Sequence, residues 1–355
     1  MVALSGCGGD DDTVRFWMYG GDAKINAYVD DEVAPALEKR GFQLKRVPVT
    51  DTAEALKRVI AERRAGKRSG GAVDLIWING ENFASGKRAG LWLKDWARTL
   101  PNARRYVDLA DPTIATDFRV AVEGQESPWQ RAAFVYAYDS AKLRSPPRDF
   151  DALLAYAREH RGRVTYPAPP DFTGSAFVRQ VVAARGEDAG FAYLKALKPL
   201  MYRGGRSLPK SQAELDGLFA DGEVDFAMAY DANFVNSGVR KGGFPRSARP
   251  FLIGAGALSN TSYVTIPANA ANVEGAKALA DVLLDPVLQA AKADPATLGN
   301  PTVLDAARLG DKASLFARRA ADNPYVLQDY GEAVPEFAAA RVGALEQRWA
   351  REVLR

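Results

Sequence analysis

The stretch VDLIWINGENF, residues 73–83, changes abruptly from apolar to polar residues. Its apolar part, 73–78, is typical of a short buried strand that ends in a loop. Outward from it, towards the N-terminus, apolar patterns alternate between the strand and helix periods, at 14–19, 25–37, 42–49 and 51–65. A capping pair, Asp51 and Glu54, marks the start of the second helix. This β-α-β-α-β order predicts a parallel sheet and the α/β fold class.

A second α/β unit is predicted further along the chain. Strand patterns occur at 134–138, 163–166, 224–229 and 263–266, and helix patterns occur at 150–160, at 273–284 and after the capping pair Ser211 and Glu214. At about 150 residues per domain, a chain of this length is expected to form two domains.

The composition is that of an ordinary globular protein, with 47% hydrophobic and 26% charged residues. The formal net charge of +3 comes from 47 basic and 44 acidic residues that are largely interspersed, which predicts no nucleic-acid partner. No apolar segment of the sequence approaches the roughly 20 residues that span a bilayer. The body of the protein is therefore expected to be soluble.

The single cysteine, Cys7, ends the sequence LSGC and is followed by a flexible acidic stretch, 8–12. This pattern resembles a bacterial lipoprotein junction, in which the thiol takes a lipid after a signal peptide is removed. Residues 1–12 are thus predicted to be a junction and tether that anchors an extracytoplasmic body to the membrane. Only six residues precede Cys7, fewer than the ~7–15 apolar residues of a signal peptide, so the precursor is expected to begin upstream. The alternative is a chance cysteine in a flexible N-terminus.

Few residues offer the chemistry of catalysis. Hydrolytic catalysis commonly uses a histidine, and the one histidine, His160, lies at the polar end of a predicted helix. The sequence shows no zinc constellation, dinucleotide fingerprint or phosphate-binding loop. We therefore expect no enzyme activity, no cofactor and no metal. One enzymatic alternative stays open, because an acid pair such as Asp22 and Glu81 could serve a glycosidase.

Polar, small and aromatic residues follow four of the predicted strands, two in each unit. Because ligands bind beyond the carboxyl ends of strands in open α/β sheets, these residues and Trp129 form the candidate ligand-binding set. Its members in the first unit are Tyr19, Gly20, Gly21, Asp22, Asn79, Glu81 and Asn82, and its members in the second unit are Asp171, Thr173, Gly174, Ser175, Tyr230, Asp231 and Asn233.

The chemistry of this set indicates a ligand of mixed charge. Three members offer aromatic faces, namely Tyr19, Trp129 and Tyr230. Three others, Asp22, Glu81 and Asp231, offer negative charge. This combination suits an organic cation. The segment Thr173–Ser175 instead offers hydroxyl and N–H groups at a helix start, which suits an anion. Both signals together fit a zwitterion or a cation that carries phosphate. The alternatives are structural: helix capping by Asp22, helix capping by Thr173 or Ser175, and solvated turn acids at Glu81 and Asp231.

Three stretches carry a resemblance to a known family: VDLIWINGENF (73–83), GQESPW (124–129) and YPAPPDFTGSAF (166–177). They closely resemble the solute-binding lipoproteins and periplasmic proteins of ABC importers, specifically the YnjB-like branch. The resemblance implies the type 2 periplasmic-binding fold, in which two α/β lobes joined by crossings close on a ligand like a hinge. The crossings would fall near 124–129 and 255–261.

The resemblance also implies a domain division and a function. Residues 13–125 and about 260–312 would form lobe 1, 126–259 would form lobe 2, and 313–355 would form C-terminal helices packed on one lobe. The implied protein is the extracytoplasmic solute-binding component of an ABC importer, a monomer that passes a small polar ligand to a permease and an ATPase. A thiamine-like compound or another organic cation or zwitterion is favoured. Trp129 is expected to pack on this ligand. An extracytoplasmic enzyme that uses carboxylates and a ligand sensor stay open as alternatives.

Overall fold

A computed structural model describes residues 12–20, 23–317, 323–327, 329–331 and 334–355. The chain divides into two compact units. The first contains the residues up to Arg131 together with Thr261–Leu298 and Thr302–Ala317, and the second contains Ala132–Asn260, Gly299–Pro301 and the described residues from 323 onward. In the described part of the chain, no helix is long and apolar enough to cross a membrane.

The described strands, in chain order, are β1 (Thr13–Tyr19), β2 (Gln43–Val49), β3 (Leu75–Ile78), β4 (Thr116–Asp117), β5 (Val120–Ala121), β6 (Glu126–Ala133), β7 (Val135–Asp139), β8 (Phe226–Ala229), β9 (Ala248–Phe251), β10 (Leu258–Thr265) and β11 (Val334–Pro335).

The described α-helices are α1 (Ala23–Tyr28), α2 (Ala34–Glu38), α3 (Ala53–Arg64), α4 (Gly80–Arg88), α5 (Pro101–Tyr106), α6 (Pro112–Ala115), α7 (Phe150–Glu159), α8 (Phe172–Arg185), α9 (Glu187–Leu197), α10 (Gln212–Ala220), α11 (Phe234–Arg240), α12 (Val273–Val282), α13 (Pro286–Ala293), α14 (Ser314–Ala317) and α15 (Ala339–Trp349).

The sheet of the first unit has the predicted parallel core. Strand β1 pairs in parallel with β2 and β3, and β10 pairs with β3 in the antiparallel direction. Alternate residues of β1, namely Val14, Phe16 and Met18, are fully buried, as expected for a strand with one face on a core. The predicted cap of α3 is also confirmed, because the Glu54 carboxylate accepts the N–H groups of Thr50 and Asp51 at 3.1 and 3.2 Å.

The sheet of the second unit is antiparallel, in the order β8-β7-β9. The strand predicted at 163–166 is wrong, because this segment has no strand conformation. Its backbone carbonyls bond singly to two separate loops: Arg163 accepts from Asp225 at 2.8 Å, and Val164 accepts from Tyr202 at 2.9 Å. Apolar residues are buried in this segment without the repeated backbone hydrogen bonds of a sheet. A pattern of alternating apolar residues does not distinguish such a segment from a strand.

The chain passes between the units after Leu298, after Pro301 and after Ala317, and also within the two long strands β6 and β10. The boundaries in the two strands fall after Arg131 and after Asn260, whereas the sequence prediction drew them after residue 125 and at about 259. The C-terminal helix α15 belongs to the second unit. Within that unit, the Trp349 indole N–H donates to the Tyr166 hydroxyl at 2.9 Å, which fixes α15 to the segment before α8.

Candidate ligand-binding site

The first unit carries an open pocket at the carboxyl ends of its parallel strands. It has a volume of about 400 Å³ and is lined by Tyr19, Thr50, Asp51, Thr52, Trp77, Ile78 and Asn79. Because β1, β2 and β3 run in parallel, their carboxyl ends meet at one edge of the sheet, where ligands of open α/β sheets bind. Two candidates, Tyr19 and Asn79, are therefore brought together, and the Tyr19 side chain is 44% exposed.

Gly20 fixes the end of β1 beside β2. Its N–H donates to the Val49 carbonyl at 3.1 Å, and a Cβ at this position would lie 2.6 Å from the Cβ of Pro48. Only glycine permits this approach. The Asn26 amide donates to the Gly20 carbonyl at 2.9 Å, so the backbone after Tyr19 is held from both sides.

The start of α4 supplies the next three candidates. The Asn79 side chain caps the helix by accepting the Asn82 N–H at 3.1 Å, and the Asn82 amide donates to the Thr52 hydroxyl at 3.0 Å. Asn82 therefore ties the start of α4 to the start of α3. Glu81 lies exposed in the first turn of α4. The remaining candidates of this unit, Gly21 and Asp22, lie outside the described residues, as does Cys7.

Trp129 lies in the core of the first unit with an exposed fraction of 0%. Its ring packs edge-on against Trp77 with centroids 4.9 Å apart. Its carbonyl accepts the Gln289 amide at 2.7 Å and the Lys292 ammonium. In this structure Trp129 packs behind Trp77, which itself lines the pocket, and direct contact with a ligand stays a prediction.

In the second unit, the four candidates at the start of α8 are engaged with neighbouring groups. The Asp171 carboxylate caps α8 by accepting the Gly174 N–H at 3.0 Å, and the Thr173 hydroxyl donates to Gln212 at 2.9 Å. A Cβ on Gly174 would lie 1.9 Å from the Pro167 carbonyl oxygen. The Ser175 hydroxyl accepts from Arg179 at 2.7 Å. The cap of α8 is therefore Asp171, whereas the capping alternative assigned this role to Thr173 or Ser175 and is wrong in the residue. The Asp171 charge opposes an anion at this helix start.

Tyr230 follows β8 and packs among aromatic rings. Its ring centroid lies 5.3 Å from that of Phe172 and 5.9 Å from that of Phe134. Burial and the negative charge of Glu336 raise the pKa of the Tyr230 hydroxyl well above its ordinary value. Asp231 accepts the Asn233 N–H at 2.8 Å, so these two candidates form a turn.

Phe172 is the functional candidate that sequence reasoning missed. Its ring is 56% exposed although it is apolar, and it lies 5.6 Å from the Arg179 guanidinium. The signal was available, because Phe172 stands between Asp171 and Thr173 in the stretch that carries the resemblance. An exposed aromatic ring at a helix start beside Tyr230 offers a flat apolar face to a ligand.

Two buried charge clusters were not predicted. Arg179 and Glu336 form a two-pronged ion pair at 2.9 and 3.0 Å, with both side chains 3% exposed. Asp117 and Glu126 are also buried, and three of their four oxygens have no hydrogen-bond partner among the described residues. Burial raises the pKa of Asp117 to about 8, and burial together with the charge of Asp117 raises that of Glu126 well above its usual range.

In the part of the chain that the structure describes, no group of three or more His, Cys, Asp or Glu side chains could hold a metal ion. His160 caps the C-terminus of α7 and packs against Tyr156, with ring centroids 4.4 Å apart. It therefore has the helix-end position that the sequence predicted.

The protein has the type 2 periplasmic-binding fold. The structure is similar to a candidate extracellular solute-binding protein from Bordetella parapertussis, with a TM-score of 0.74 and 15% identity over 97% of this chain and 99% of that one. A Bordetella ferric binding protein matches with a TM-score of 0.67 and 18% identity over 96% and 98% of the two chains. A periplasmic thiamin binding protein matches with a TM-score of 0.60 and 18% identity over 97% and 96%.

The chain belongs to the family of bacterial extracellular solute-binding proteins, because the model of that family matches residues 33–320. It is also 40% identical over 357 residues to protein YnjB of Escherichia coli (strain K12), a match that covers 95% of this chain and 90% of that protein. The resemblance found in three short stretches is therefore confirmed for the family and for the YnjB-like branch. Family membership also places the protein outside the cytoplasm.

Proposed function

We propose that this protein captures an organic cation or zwitterion, with a thiamine-like compound favoured, and delivers it to the permease and ATPase of an ABC importer. Family membership supports the binding role, and the pocket of the first unit supports the ligand class. The proposal includes attachment to the membrane through lipid on Cys7, a monomeric state and return of the ligand unaltered.

The lining of the first unit's pocket is the observation that carries the ligand class. Tyr19 and Trp77 contribute aromatic rings, Asp51 contributes a carboxylate, and Asn79 contributes an exposed amide. A cation over the face of Tyr or Trp gains ~0.5–2 kcal/mol, depending on how far it is removed from water. This combination favours a ligand with positive charge and a polar edge over a neutral sugar or a bare metal ion.

The second unit adds an aromatic patch of its own. Phe172 and Tyr230 lie in contact, and the Asp231 carboxylate follows directly in the chain. Arg179 is paired with Glu336, so the cluster carries little net positive charge. The patch therefore supports the same ligand class and not a simple oxyanion.

Thermal unfolding with a panel of thiamine, thiamine phosphate, spermidine, choline and fructose tests this proposal. A ligand present at 100 times its Kd adds ~2.7 kcal/mol to the stability of the folded state, so we expect an increase in Tm of several degrees with at least one cation and none with fructose. Tyr19→Ala should reduce this shift. Val287→Ala is the matched control, since it truncates a similarly exposed apolar residue on α13.

Three outcomes would contradict parts of the proposal. A response to fructose alone would exclude the cationic ligand class. Equal shifts for wild type and Tyr19→Ala would remove the pocket from the ligand site. Recovery of the compound in altered form would favour the enzyme alternative, since a carrier returns its ligand unchanged.

A further inference from the structure

The hairpin β4–β5 in the first unit has an unusual turn. Its two central residues, Phe118 and Arg119, have φ values of 43° and 67°, and Asp117 pairs with Val120 on either side of them. Such two-residue turns need positive φ at both positions and strongly prefer Asn-Gly or Gly-Gly. An aromatic and a basic residue here store strain of about 1–3 kcal/mol per residue. Glu123, three residues past the turn's end, also has positive φ, at 49°.

The hairpin lies along α4, and its turn reaches the N-terminus of that helix. A Cβ placed on Gly80, the first residue of α4, would lie 2.6 Å from Cδ2 of Phe118. At the other end of α4, the Lys87 ammonium donates to the Ala121 carbonyl and pairs with Glu123 at 2.9 Å. The Phe118 ring therefore packs against Gly80, and the residue before Gly80 in the chain, Asn79, lines the pocket.

The start of the hairpin is buried, and its contacts with the core fix the position of the turn. Asp117, adjacent to Phe118, is 2% exposed. The Tyr263 hydroxyl of β10 has its possible acceptors at the start of the hairpin, since it lies 3.0 to 3.2 Å from the carbonyl oxygens of Thr113, Ile114 and Thr116. A fixed base and a strained turn hold the Phe118 ring in one place, as a preorganised binding surface requires.

We propose that Phe118 is a specificity-determining residue of the ligand site, whose ring contacts a flat heterocycle of the ligand at the start of α4. The strained Phe118-Arg119 turn positions this ring. The inference rests on the proposed function and narrows it, because it selects cations that contain an aromatic ring over cations that lack one. Strained residues of this kind cluster at ligand clamps and active sites, where the surrounding structure holds them in place.

The experiment compares ring-containing with ringless cations, namely thiamine with choline, by titration calorimetry and thermal unfolding. Wild type should prefer thiamine. Phe118→Leu keeps apolar packing against Gly80 but removes the ring, so the Kd for thiamine should rise about tenfold, equivalent to about 1.4 kcal/mol, with little change in Tm. Arg119→Gly relieves the turn and should raise Tm by about 2–4 °C while also weakening thiamine binding.

Asp95→Gly is the matched control, because Asp95 is an exposed residue of the same unit with φ of 58°. It should raise Tm like Arg119→Gly and leave the Kd for thiamine unchanged. Unchanged affinity in Phe118→Leu, or no gain in Tm for Arg119→Gly, overturns the inference. A wild-type protein that binds choline but not thiamine overturns it and leaves the proposed function standing, whereas a protein that binds neither overturns both the ring selectivity and the proposed ligand class.

Discussion

Two buried carboxyl groups make the free energy of unfolding depend on pH. Asp117 and Glu126 titrate above their ordinary range because burial disfavours the charged form, and only Lys87 among their charged neighbours opposes this. The Tyr263 hydroxyl faces the pair, with Arg131 close to it. The unfolded chain loses these protons above about pH 4, whereas the folded protein keeps them. The contribution of this pair to the free energy of unfolding should therefore fall as the pH rises from about 4 towards 8.

Asp117→Asn tests this expectation, since it mimics the protonated acid. We expect little change in Tm at pH 4 and a gain that grows with pH, reaching at least about 2–4 °C at pH 8. Thermal unfolding across this range measures it. Glu123→Gln is the control, because this exposed carboxylate pairs with Lys87, which lowers its pKa, and its loss should give no such gain. Parallel Tm curves for wild type and Asp117→Asn would show that Asp117 is ionised in the folded protein.

The positions of some single residues could be predicted from the sequence, and those of others could not. Tyr19 and Asn79 could be assigned to a sheet edge because parallel strands place their carboxyl ends together. The burial of Trp129 could not be predicted, since its neighbours in β6, Ser127, Pro128, Gln130 and Arg131, show no alternation of apolar and polar residues that would assign it to a face. The burial of Asp117 and Glu126 could not be predicted either, because the sequence does not distinguish a buried carboxyl group from one on the surface.

At the scale of elements, an ion pair fastens the segment before α15 to helix α8. Arg179 and Glu336 lie 157 residues apart and are both almost fully buried. Removing one partner leaves an uncompensated buried charge, so Arg179→Met should lower the free energy of unfolding by about 3–5 kcal/mol. The double variant Arg179→Met with Glu336→Leu should recover much of this loss. Urea unfolding measures both.

The exposed pair Lys277 and Glu274 on α12 provides the control for this experiment. Their charged groups lie 2.8 Å apart, as close as those of the buried pair, but pairs of this kind contribute ~0–1 kcal/mol. Lys277→Met should therefore change stability by less than about 1 kcal/mol. A comparably small effect for Arg179→Met would mean that water reaches the Arg179–Glu336 pair and that α15 is held by its apolar contacts.

Helix starts were the elements most accurately predicted from sequence. The caps of α3 and α10 act over three or four residues, and both predicted pairs form bonds: the Asp51 N–H donates to Glu54 at 3.2 Å, and the Glu214 N–H donates to the Ser211 hydroxyl at 3.3 Å. The segment 163–166 failed because its hydrogen-bond partners come from residues 202 and 225, which no local pattern specifies. The antiparallel order of β8, β7 and β9 depends on the same kind of distant pairing.

For the whole molecule, the three stretches that resemble the family, 73–83, 124–129 and 166–177, said more about fold and function than the apolar periodicity did. Periodicity predicted two α/β units, but it could not place the passages of the chain between them. The resemblance predicted two crossings, near 124–129 and 255–261, and family membership defined the binding role. The ligand does not follow from the family, because proteins of one fold bind chemically different compounds. The proposals for Phe172 and Phe118 rest on side chains that periodicity does not single out.

Hydrogen exchange can test the binding mode that the resemblance implies for the whole molecule. If the ligand contacts both units, thiamine at saturation should slow amide exchange after β1 and at the start of α4 in the first unit, and also at the start of α8 in the second, because ligand-bound backbone opens less often. The α12 helix should be unaffected and serves as the internal control. Protection confined to one unit would show that the other makes no contact, and hinge closure would then have no ligand-derived free energy to drive it.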